Sequence, residues 1–192
     1  MMKFKLIFIS FMLFGIAMQG QVKYEREYRI KKTQFPNKAI SLLNENLGKV
    51  KRLKFYKEVD STKISFEAKF KKNNVWYSIE FSEKGILEDV EITIPSDVIP
   101  NKTFDTITQF LQTNFTSFKI KKIQQQYVNN GDDGKTLKDA FQNSDLSTLN
   151  YEIICSGKKD ASYEDFEILF DASGKFKYIR KSLPPNYDHV LY

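Results

Sequence analysis

The chain has 192 residues, 41% of them hydrophobic and 15% aromatic, enough for one ordinary domain or two small ones with a shared core. Its formal charge is +6, and without residues 1 to 20, which carry Lys3 and Lys5, it has 28 basic against 24 acidic side chains, or +4. So mild an excess is no nucleic-acid signature, and the single cysteine, Cys155, excludes an internal disulfide and a lipid-modified mature N-terminus.

Lys3 and Lys5 precede an apolar run from Leu6 to Met18, followed by small and polar residues around Gly20 and Gln21. This is the pattern of a signal peptide over residues 1–20. Its apolar core is about a dozen residues, short of the roughly 20 that a membrane-spanning helix requires. The expected mature chain is therefore a periplasmic or secreted protein with no permanent anchor.

Val22 to Ile30 alternates and predicts a leading strand. Phe35-Pro36-Asn37-Lys38 then opens a helix whose Ala39, Leu42, Leu43 and Leu47 share a face, and Ile99-Pro100-Asn101-Lys102 opens a second with Phe104, Ile107, Leu111 and Phe115. Proline near a helix start costs least, because its missing N–H has no partner there. A basic apolar stretch follows each helix, Val50-Lys51-Arg52-Leu53 and Ile120-Lys121-Lys122-Ile123. Ile64, Phe66, Ala68 and Phe70 alternate with Ser65, Glu67 and Lys69, predicting a strand with a core face and a wet face. Asn73-Asn74 makes a hairpin turn into Tyr77, Ile79 and Phe81, and Val90, Ile92 and Ile94 complete a fourth strand. Tyr77, Ile79, Phe81 and Gly85 correspond to Phe166, Ile168, Phe170 and Gly174, each pair 89 positions apart. Both turns end in a glycine able to take a positive φ.

These correspondences predict an α+β fold of two repeated units, each a helix packed on a roughly four-stranded antiparallel sheet, sharing a core or a continuous sheet. The first unit, with its leading strand, spans 21–97. The second spans 98–183, with an insertion at about 129–149 that reads as a long loop with one helical turn, and 184–192 form a C-terminal tail.

Helix, charged first strand, hairpin, and a Tyr-x-Ile-x-Phe strand ending in a glycine turn resemble the PepSY-like, beta-lactamase-inhibitor-like proteins exported by Bacteroidetes. The resemblance covers about residues 35 to 183. It implies tandem helix-plus-sheet units, export, no cofactor, and binding or inhibition of another protein.

The residues themselves offer little catalytic chemistry. The one histidine, His189, lies in the tail, and Cys155 alternates with Tyr151 and Ile153 as a buried structural thiol would. No His/Cys pair has metal-ligand spacing. The Asp132-Asp133 loop fails as an EF-hand, because a loop opened by Asn129 puts Ala140 where the bidentate Glu belongs. The acidic groups Glu88-Asp89-Glu91 and Glu164-Asp165-Glu167 fall largely on wet strand faces. The Asn-x-Thr sequons at Asn101 and Asn114 read as helix-end chemistry.

A partner surface is the remaining reading. Lys51, Arg52 and Lys54 in one segment and Lys121 and Lys122 in the other could face an acidic partner or guard edge strands against aggregation. Alternation turns Trp76 away from Tyr77 and Ile79, either as an exposed interface anchor or as cover for a cross-strand neighbour. The expected function is a non-enzymatic binding module, without cofactor or metal, recognising a protein or peptide in the cell envelope through the outer sheet face. The alternative is a periplasmic small-ligand carrier with an apolar cavity between helices and sheet.

Overall fold

A computed structural model describes residues 21–23, 25–60 and 63–182. Residues 1–20, read as a signal peptide, and the tail at 184–192 with His189 lie outside the described residues. Among those described, no helix is long and apolar enough to cross a membrane.

Ten strands and three α-helices are present among the described residues. In chain order they are β1 (Gln21–Lys23), β2 (Glu25–Ile30), α1 (Asn37–Asn46), β3 (Lys51–Asp60), β4 (Lys63–Lys72), β5 (Val75–Ser82), β6 (Leu87–Thr93), α2 (Asn101–Asn114), β7 (Ser117–Val128), α3 (Asp133–Phe141), β8 (Asn150–Lys159), β9 (Ser162–Asp171) and β10 (Phe176–Ser182). From β2 to β10 every strand pairs antiparallel with the next, and β1 pairs parallel with β10. This corrects the fold class. One continuous sheet with three helices replaces two repeated units of a helix on four strands. The β6–β7 ladder, in which Asp89 faces Val128 and Thr93 faces Gln124, joins the halves into the continuous sheet that was one of the expectations, and the ten-strand order leaves no separate four-stranded sheet under each helix.

Helix placement follows the apolar pattern. Short 3-10 turns at Lys32–Gln34 and Ser96–Val98 lead into Pro36 and Pro100, which cap α1 and α2. Ala39 and Leu43 of α1, and Ile107 and Leu111 of α2, are buried against the sheet. The Phe35 ring meets those of Phe55, Phe66 and Phe81, while Phe110 meets Phe170 and stacks on Phe176 at 4.6 Å. Two hairpin turns lie under the helix starts. Gly85 (φ +70°) sits against Pro36, and Gly174 (φ +84°) would place a Cβ 2.6 Å from the Thr103 carbonyl oxygen, so neither position admits a side chain.

The segment read as a loop with one turn forms the nine-residue α3. The Asp132 side chain accepts the Lys135 N–H and caps it. Leu137 and Ala140 are buried, and Phe141 packs edge-on against Phe70 and Tyr77, so α3 is a third element of the apolar layer.

The opposite face of the sheet is polar, yet it is not wet. Glu58, Glu67, Ser78, Glu91, Gln124, Glu152 and Glu167 are all less than 9% exposed, although the helices lie on the other side. Curling of the sheet over this face accounts for the burial. β1 adds to one edge and β2 to the other, and β1 ends at Lys23 while β2 begins at Glu25. Two residues of chain span at most about 7 Å, so the edges must meet. Arg180 on β10 and Asp60 on β3 approach to 3.8 Å across that seam. The result is a barrel-like sheet with helices outside and a polar interior.

Candidate functional site: a charged interior and its basic rim

The interior is built by every second residue of successive strands. At the β2–β3–β4 side, Glu27, Glu58 and Glu67 bring carboxylate oxygens within 4.8 Å of one another. Lys69 answers them. Its Nζ lies 2.5 Å from Glu27 and 2.7 Å from Glu67, and 4.9 Å from the Tyr56 ring centroid. Burial alone would push the Glu67 carboxyl up, but the Lys69 ammonium, a hydrogen bond shared with Glu58, and those donated by Lys69 and Ser78 hold it below the usual value of 4.5. Lys69 is raised in turn, because Glu67 and Glu27 outweigh a burial that opposes its charge.

At the β5–β6 side a second group, Glu80, Asp89 and Glu91, is equally close, with oxygens within 4.8 Å. Gln124 donates through Nε2 to Glu91, Gln126 donates to Asp89 Oδ2 at 3.2 Å, and Asn150 donates to Gln126 at 2.9 Å. Asp89 and Glu91 both have carboxyls held well above the usual range, by burial first and then by neighbouring carboxylates, Glu80 and Glu152 among them. The expectation that these acids serve solubility on a wet face is therefore corrected. The alternation is as read, but curvature buries both faces.

The rim is basic where β3 and β5 begin and β4 ends. Arg52, at φ +58°, occupies a bulge between Lys51 and Lys54. Its guanidinium carbon is 5.8 Å from the Trp76 ring centroid, and Lys71 Nζ is 6.0 Å from the same ring. Trp76 is 39% exposed. Lys51 faces Lys71 directly across the ladder and Lys54 faces Lys69. Four of the six candidate partner residues, Trp76, Lys51, Arg52 and Lys54, thus gather at one end of the β3–β4–β5 ladder, joined by Lys71, which sequence reasoning did not single out. Lys121 and Lys122 are on β7, two strands beyond Trp76. Lys121 is held at 2.7 Å by both oxygens of Asp165, and Lys122 lies within electrostatic reach of Glu91. Cross-strand pairing of Lys71 with Trp76 needs the β4–β5 register, which the Asn73-Asn74 turn supplies.

Cys155 is fully buried on β8, opposite Phe166. Burial, then the Asp165 carboxylate, push its thiol up to about 12. It is a core side chain with no access to thiolate chemistry. A disulfide-exchange dye should leave the native protein unlabelled at pH 8 and titrate one thiol after denaturation; rapid labelling of the native form would contradict this placement. A cavity of about 230 Å³ opens between α3 and β7. Asn130, Asp132, Lys135 and Asp139 share its wall with Val128, Leu146 and Leu149.

Fold and site together define a class: a curled antiparallel sheet with helices on its convex side, a charged interior and a cationic, aromatic rim. No protein-family model matches the chain, and no curated protein matches it in sequence. Solved structures with a similar fold come from Bacteroides. A DUF2874 family protein of Bacteroides uniformis superposes with a TM-score of 0.53 at 11% identity, covering 77% of this chain and 89% of that one. A protein of Bacteroides eggerthii, provisionally described as periplasmic, gives 0.53 at 12% identity over 80% and 92%. A DUF2874 family protein of Bacteroides ovatus gives 0.51 at 10% identity over 82% and 93%. At these identities the likeness is one of fold.

Proposed function

We propose that the chain is an exported, non-enzymatic binding module that recognises an acidic protein or peptide through the rim around Trp76. The observation that carries this reading is an exposed tryptophan flanked by Arg52 and Lys71, with Lys51 opposite Lys71. Like charges directly across a ladder oppose each other, and among the described residues Lys51, Arg52 and Lys71 have no carboxylate in salt-bridge contact. A non-glycine residue in the left-handed region costs about 1 kcal/mol or more, and such positions concentrate where a side chain must be aimed. Here the aimed side chain is Arg52. A partner carboxylate would relieve the repulsion while the indole supplies apolar area.

Export is supported by the signal-peptide pattern at 1–20 and by the periplasmic description of the Bacteroides eggerthii neighbour. The PepSY-like, inhibitor-like role implied by the sequence resemblance is a special case of this reading, in which the bound partner is an enzyme. The test is capture of partners from the envelope fraction of the native organism by the tagged mature chain. One species should be retained at low salt and weakened at high salt. Trp76→Ala should lose it by about 30-fold or more in affinity, the scale of an interface hot spot. Equal retention by wild type and Trp76→Ala, or no retention by folded protein, would defeat the proposal.

A further inference from the structure

β7 is longer than the strand before it. β6 pairs with β7 from Asp89 opposite Val128 to Thr93 opposite Gln124, and the last backbone bond on that side runs from the Ile94 N–H to the Ile123 carbonyl at 3.0 Å. β7 nevertheless extends back to Ser117, paired with β8 on its other side, with one irregularity between Ile120 and Lys122. Ser117 to Lys122 therefore have a strand on one side only among the described residues. The N–H and C=O groups of a strand point alternately to its two sides, so part of this run presents its backbone to the open side.

The open side is flanked by two kinds of chemistry. A cavity of about 320 Å³ lies along it, with Ile94, Pro95, Phe104, Ile120 and Ile123 in its wall beside Lys121 and Lys122. Ile120 packs on the apolar core and pairs with the buried Cys155. Lys119 and Lys121 alternate with it and turn to the polar face, where Lys121 reaches Asp165. Lys122 is in phase with Gln124, whose amide donates to Glu91 on that same face. Lys119 and Lys122 are exposed, and among the described residues neither is in an ion pair.

We infer that the Ser117–Lys122 edge of β7 is a docking site for an extended acidic peptide, which joins the sheet as a further strand with acidic and apolar side chains alternating. Backbone hydrogen bonds hold the peptide, and its alternate side chains read the two faces. Apolar ones enter the cavity beside Phe104 and Ile120, and carboxylates meet Lys119 and Lys122. Edge lysines and a bulge also keep like strands from pairing. A second copy of this edge is therefore a poor occupant, because it sets lysine against lysine, whereas an acidic strand matches the charge. None of Trp76, Lys51, Arg52 and Lys71 lines this cavity, so the site is additional to the rim and does not rest on it.

The test is fluorescence anisotropy of a labelled peptide of alternating valine and glutamate, about six residues long to match the edge, with the mature chain at low salt. Two further peptides carry backbone N-methyl groups, one on every valine and one on every glutamate. In an added strand only one of these two sets of N–H groups faces β7. One methylated peptide should therefore lose about tenfold or more in affinity while the other binds like the parent. Lys119→Glu/Lys122→Glu, which alters exposed side chains only, should weaken the parent peptide about tenfold or more. Lys84→Glu/Lys175→Glu, with the same net charge but its changes in two hairpin turns, should bind as wild type does. Equal affinity of the two methylated peptides would mean that no ladder forms and would overturn the assignment. So would unchanged affinity in Lys119→Glu/Lys122→Glu, an equal loss in both variants, or no binding by folded wild type up to about 1 mM peptide.

Discussion

Lys69→Met is expected to lower the unfolding free energy by about 3 kcal/mol, measured by urea denaturation at pH 7, the low end for a broken buried pair. The low end applies because the Lys69 side chain retains 35% exposure, whereas Glu67 retains 5%. Methionine keeps the stem that packs beside Tyr56 and removes the ammonium, leaving Glu67 charged among Glu27 and Glu58. Two features separate this from loss of packing. Adding Glu67→Gln should recover most of the deficit, since the stranded charge is then gone. The deficit should also shrink on acidification. In wild type the Glu67 carboxyl is lowered, so its contribution is present above the ordinary 4.5 and is lost as pH falls through the folded value. Without Lys69 that contribution is absent, and the two proteins converge at low pH. A cost below about 1 kcal/mol, or no recovery in the double variant, would show that the ammonium is not what permits Glu67 to be buried.

How much of this was legible in the sequence depends on what kind of information each feature needs. Local features were readable. The apolar stripe of Ala39, Leu43 and Leu47, the alternation of Ile64 to Phe70, and the positive-φ glycines at 85 and 174 each follow from spacing within one element. α3 was underread because its cap, Asp132, sits inside a run of Asn, Gly and Asp that also spells a loop. The fold class failed for a longer-range reason. Similar segments 89 residues apart suggested two helix-on-four-strand units, but how many strands line up in one sheet, and that β1 and β2 extend its two edges, is set by pairing between strands, which similarity within each half does not encode.

Curvature was the larger omission. Alternation says that Ser65, Glu67 and Lys69 share a face; it does not say whether that face meets water. Nothing local to β4 reports that β1 and β2 occupy opposite edges of the sheet and draw them together. A signal did exist in the polar positions themselves. Glu80, Asp89, Glu91 and Gln124 fall in phase on neighbouring strands, and Lys69 is the cation in phase with Glu27 and Glu67. Reading phase across strands, instead of along one, exposes both groups. For the rim, the basic segment at 51–54 and Trp76 were visible as residue types, and the bulge that brings Arg52 to the ring was not.

Folded stability should fall as pH rises from about 4.5 toward neutrality, the reverse of the Glu67 effect. Asp89 and Glu91 have ordinary values of 3.8 and 4.5, and both are raised well above them in the folded chain. A raised carboxyl means that the native state keeps a proton the unfolded state has released. The stabilising contribution is then full below the unfolded value and is lost as pH climbs through the folded one. The slope is bounded at about 1.4 kcal/mol per pH unit for each proton so held. The groups that set it come from every strand around the pair: Glu80 on β5, Glu88 on β6 and Glu152 on β8 raise the values, while Lys63 on β4 and Lys122 on β7 lower them. Asp89→Asn/Glu91→Gln should flatten the profile and exceed wild type at pH 7.5, because the variant has no proton to lose and no charge to bury. A wild-type profile already flat between pH 5 and 7.5, with no gain in the variant, would mean that these carboxylates are solvated after all.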